Sequence, residues 1–100
     1  MSGDRVRTLE KLYTQGETSD IVDLALEKLF AYELKESQEQ LARLMRDLSQ
    51  FEQQYDLSSD AFYARFQAGE MGDAMDFVEW ASLHQMAERL KRRIGLLEES

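Results

Sequence analysis

The stretch AGEMGDAMDFVEW, residues 68–80, holds four carboxylates and two glycines and ends in the single tryptophan of the chain. Carboxylates at this density could bind a cation or move protons. They could equally start a helix. Asp73 suits an N-cap, and Asp76 three residues on can reach back as in a capping box. Gly69 and Gly72 suit the turn before it, while Phe77 and Trp80 fall on the opposite side as core anchors. Capping explains Asp73 and Asp76 without an ion, and we expect no metal there.

The other groups with chemical potential are few. His84 is the only histidine. It stands one turn from Glu88, a pairing that a highly charged helix supplies by chance. No Glu-x-x-His pair of a di-iron bundle and no calcium-loop spacing is present. There is no cysteine, which excludes disulfides, thiolate zinc sites and thiol nucleophiles. No Gly-x-Ser-x-Gly occurs, and GEMGD lacks the Lys-Ser/Thr ending of a phosphate loop. The expectation is a non-enzyme without a cofactor, with His84 a partly buried or surface helical residue. The run RLKRR, residues 89–93, could contact phosphates. A solvated helix end matched to its dipole is the reading preferred here.

The elements that position these residues are helical. Zero proline leaves long helices unbroken. Residues 1–17 are weakly patterned and read as a flexible arm, with a short helix around Leu9, Leu12 and Tyr13 as the alternative. Thr18, Ser19 and Asp20 are N-cap candidates, and 20–55 reads as one helix roughly 50 Å long. Its second half carries a heptad, with Leu34, Leu41, Leu48 and Tyr55 in one row and Phe30, Ser37, Leu44 and Phe51 in the other. Its first half, from Ile21 to Tyr32, is apolar over a wider arc that can meet two neighbours. A short helix follows, with Ser58 as N-cap, Leu57 and Phe62 as a hydrophobic staple, Asp60 at its positive end, Phe62 and Phe66 on one face, and Gly69 as the stop. The last helix is placed at 73–97, with a stripe of Trp80, Leu83, Ala87, Leu90, Ile94 and Leu97. Gly95 weakens its final turn.

The expected fold is all-α: two long helices joined by a short one in an antiparallel hairpin, a single domain over 18–100. A chain of 100 residues has a limited core. The wide stripe on the first long helix needs a cover, so a homodimer, as a four-helix bundle or coiled coil, is expected, or a heterocomplex on the same face. Leu26, Leu29, Phe30, Leu34, Leu41, Leu44, Leu48 and Phe51 are the candidate interface. The net charge of −8 disfavours a surface that tracks nucleic acid and favours a basic protein partner. No signal-peptide pattern and no membrane-length apolar run is seen, and a cytoplasmic protein is expected.

The motif FYxxFxxGExGDxxDFxEW, carried by Phe62, Tyr63, Phe66, Gly69, Glu70, Gly72, Asp73, Asp76, Phe77, Glu79 and Trp80, resembles one found in small acidic all-helical prokaryotic proteins. With the preceding heptad helix the resemblance covers roughly residues 19–97. Those proteins are antitoxins of two-gene toxin–antitoxin pairs. The resemblance implies that this chain binds and masks a small ribonuclease-like toxin. It departs from antitoxins generally in having no recognisable DNA-binding segment. The alternative is a structural coiled-coil homodimer with no toxin partner.

Overall fold

The computed structural model describes residues 2–16 and 19–99. Four helices run in chain order: α1 (Ser2–Thr14), α2 (Asp20–Tyr55), α3 (Ser59–Gln67) and α4 (Met75–Glu98). There is no strand among the described residues. No helix among them is long and apolar enough to cross a membrane. Contacts divide the chain into two compact units, Met1–Tyr32 and Glu33–Ser100. The division falls inside α2.

In the first unit, residues 2–14, within the segment read as an arm, form the helix α1. Its Tyr13 hydroxyl donates to the Asp23 carboxylate on α2. That bond, more than burial, holds the phenol proton and raises its pKa above the usual 10.0. Ser19 caps α2, its Oγ accepting from the Val22 amide at 3.3 Å. Thr18, another cap candidate, lies outside the described residues.

In the second unit, the far half of α2 packs against α4. Three contacts give the direction: Tyr55 meets Asp76, Phe51 meets Trp80, and Glu33 meets Arg93. Residue numbers fall on one helix as they rise on the other, so the pair is antiparallel. The core is Leu44, Leu48, Phe62, Trp80, Ala81 and Ala87, with Leu41, Phe51, Tyr55, Phe77, Leu83 and Leu90 packed around it. Leu41, Leu44, Leu48, Phe51 and Tyr55 of the heptad and Trp80, Leu83, Ala87 and Leu90 of the α4 stripe thus share one core. Ser37, the polar member of the seam, is buried as well.

The turns follow from local chemistry. Ser58 Oγ accepts from the Ala61 amide at 3.1 Å, and Glu52 of α2 accepts from the Ser59 amide at 2.8 Å. Two otherwise orphaned donors at the start of α3 are thereby satisfied. At its end the Glu70 amide bonds the Arg65 carbonyl and the Gly69 amide bonds the Phe66 carbonyl. That is a Schellman ending, and it requires the left-handed φ of +76° found at Gly69.

The start of α4 corrects the sequence reading. The N-cap is Ala74, with no side-chain cap bond, and the helix begins at Met75. Asp73 is exposed outside the helix. Asp76 is therefore in the first turn but one position short of the capping-box site. It instead accepts a hydrogen bond from Tyr55 at 2.6 Å. The cations also sit elsewhere than expected. Helix α4 runs through Gly95 to Glu98 with no base in its last turn. Lys91 pairs with Glu88 at 3.2 Å and Arg93 with Glu33 at 2.5 Å.

Candidate functional site

The carboxylate-rich stretch 68–80 is a joint. Trp80 is fully buried and lies 3.9 Å from Phe62, ring centre to ring centre, at an angle of 3°. Phe51 at 5.5 Å and Tyr55 at 5.7 Å stack on it from α2. Its indole N–H donates to Ser59 Oγ at 2.9 Å. The hydrophobic staple residue Leu57 packs on this same core, as do Phe66, Met71 and Phe77. Gly69 and Gly72 carry the left-handed backbone of the turn, at +76° and +78°. The Tyr55 hydroxyl ties the end of α2 to the first turn of α4. Its bond to Asp76, ahead of desolvation, raises the phenol pKa above 10.0.

The eight candidate interface residues fall into two groups. Leu44 and Leu48 are core, and Leu41 and Phe51 pack against it. These four side chains pack within the chain, Leu41 and Phe51 with part of their surface still exposed. Leu26 and Leu34 are half-buried, each in a different unit. Leu29 and Phe30 are exposed, and so are Ile21, Leu24 and Tyr32. Five large apolar side chains within twelve residues of one helix are thus open to solvent. Isolated exposed apolar residues are ordinary, but a cluster marks an interaction surface. Asp20, Asp23 and Glu27 against Lys28 make the same segment net negative.

A second group comes together around His84. The residue is buried, with 7% of its surface exposed. Its ring leans on Tyr63 at 4.5 Å. Its Nε2 lies 3.9 Å from Asp60 Oδ1 in the first turn of α3. Glu88, one turn further along α4, completes a set of three side chains whose donor atoms lie within 4.8 Å of one another. The sequence reading noted His84 with Glu88 and, separately, Asp60 at a helix start. Nothing in the spacing joins Asp60 to a residue 24 positions away. The Schellman turn and the aromatic stack do so, by folding α3 onto α4. Beside this group, Arg89 and Arg92 line a cavity of about 440 Å³ with Tyr63, His84, Gln85 and Glu88.

No protein-family model, no curated protein and no solved structure matches this chain.

Proposed function

We propose that the chain is a non-enzymatic interaction module, the antitoxin of a two-gene pair, which binds and masks a small basic ribonuclease-like toxin. The observation that carries the interaction reading is the set of exposed apolar side chains Ile21, Leu24, Leu29, Phe30 and Tyr32 on an acidic helix. Apolar surface supplies affinity, and the surrounding carboxylates draw in and orient a cationic partner. The motif through Trp80 supports the narrower antitoxin reading by resemblance. In this reading its role is structural: it builds the joint, and the partner meets α2. Two copies of the chain pair on the same face when the partner is absent.

The test uses the chain alone and with the product of the adjoining gene. Light scattering at micromolar concentration should give a dimer alone and a heterocomplex on mixing. The complex should suppress the partner's RNA cleavage. Leu29→Asp with Phe30→Asp should abolish both associations and leave the helical content intact. A dimer that ignores the neighbouring gene product would favour the scaffold alternative. A monomer that ignores it would defeat the interaction reading altogether.

A further inference from the structure

We propose that Asp60, His84 and Glu88 form a site for a first-row divalent cation of the kind that accepts mixed nitrogen and oxygen ligands, such as Zn²⁺. The inference is independent of the antitoxin reading.

The donor set is suitable. One imidazole and two carboxylates are common ligands of such ions, and three protein donors leave positions for water. His84 and Glu88 are four residues apart on α4 and so share a face. Asp60 approaches from α3. All three line one cavity of about 110 Å³, with Met45, Leu48 and Ala87 among its apolar neighbours. Bonds of about 2.1 Å hold two donors of one ion at most about 4.2 Å apart. The present spread of up to 4.8 Å closes by a small movement of side chains. The carboxylates that must move are open to solvent. Asp60 is 90% exposed and Glu88 39%.

The histidine supplies an independent observation. It is more than nine-tenths buried, it is held in orientation by Tyr63, and its Nε2 points at Asp60. At 3.9 Å that approach is too long for a hydrogen bond. Neither ring nitrogen makes one with any other described residue. Its nitrogens remain within reach of solvent, since no buried side-chain nitrogen or oxygen among the described residues lacks a partner. A cation entering from solvent would sit between Nε2 and the two carboxylates. Lys91 is the competitor. Its ammonium lies 3.2 Å from Glu88 Oε1 and lines the same cavity. A bound cation must draw Glu88 away from it, so removing Lys91 should tighten binding.

Calorimetric titration of the chelator-stripped full chain with zinc chloride tests the proposal. One saturable site per chain is expected. Asp60→Asn and Glu88→Gln should each weaken it by at least about tenfold, as loss of a direct ligand must at minimum match loss of a supporting one. Lys91→Met should strengthen it, and Asp73→Asn, a carboxylate outside the group, should leave it unchanged. His84→Gln should abolish binding, with circular dichroism to check folding. If that variant misfolds, Asp60→Asn still decides, because its side chain is exposed. Absence of saturable binding would overturn the site. So would binding that survives both Asp60→Asn and Glu88→Gln.

Discussion

Trp80 combines two roles that separate substitutions can pull apart. Its ring fills the centre of an aromatic stack, and its N–H needs Ser59. Trp80→Ala is expected to cost about 3–5 kcal/mol, by lost burial and the cavity left behind. Ser59→Ala removes only an acceptor, yet it strands a buried indole donor. It should cost about 1–3 kcal/mol. Chemical denaturation measures both. The anchor was legible in the sequence, because a lone tryptophan opened an unbroken helical stripe. Ser59 was not. Its value depends on a contact across 21 positions that no local pattern contains. Asp73 was misassigned because aspartate is a good cap wherever the chain can turn into a helix, and the cap falls one residue later, at Ala74. Tyr55 brings a pH dependence. Its pKa is raised in the folded chain, so the fold holds that proton more tightly than the unfolded state does. The stabilisation is complete below about pH 10, the ordinary phenol value, and is lost as pH rises through the higher folded value. Alkaline unfolding followed by circular dichroism should fall off less steeply in Tyr55→Phe.

Two glycines show how an element's ends and its middle obey different rules. A methyl group added at Gly69 or at Gly95 would meet no atom within 4 Å. Sterics with neighbours therefore cannot distinguish them. Gly69 sits at φ +76°, where alanine should cost about 1–2 kcal/mol. Gly95 lies inside α4, where alanine should stabilise by about 0.5–1 kcal/mol. Opposite shifts in the thermal midpoint would separate backbone conformation from packing. The helices themselves were largely readable. Ser58 and Gly69 bound α3 in the sequence as they do in the structure. The heptad of α2 marks a seam, and Leu41, Leu44, Leu48 and Phe51 pack within the chain. A heptad states that a helix will be covered on that side. It does not state whether the cover is another chain or α4.

At the scale of the molecule, stability is unevenly placed. The core residues described above all fall within Glu33–Ser100, while almost every described side chain of α1 is exposed. Amide exchange should accordingly be slowest around Leu44, Leu48, Trp80 and His84 and fastest in α1. Uniform protection along the chain would contradict this. The boundary at Tyr32 was hidden in the sequence for a physical reason. Helix α2 has no glycine or proline to mark it, and its backbone hydrogen bonds pass through without interruption. What changes there is only which residues lie alongside.

The stacked tryptophan has one more consequence, for spectroscopy. A single indole, out of water and parallel to a phenyl ring, gives this chain one fluorescent reporter. Its emission should be blue-shifted when folded and move to the red on melting. The signal belongs to the unit that contains it, since Met1–Tyr32 has no tryptophan. A fluorescence melt therefore follows Glu33–Ser100, whereas circular dichroism sees every helix. If the two curves diverge, the gap between them is the separate melting of the other unit.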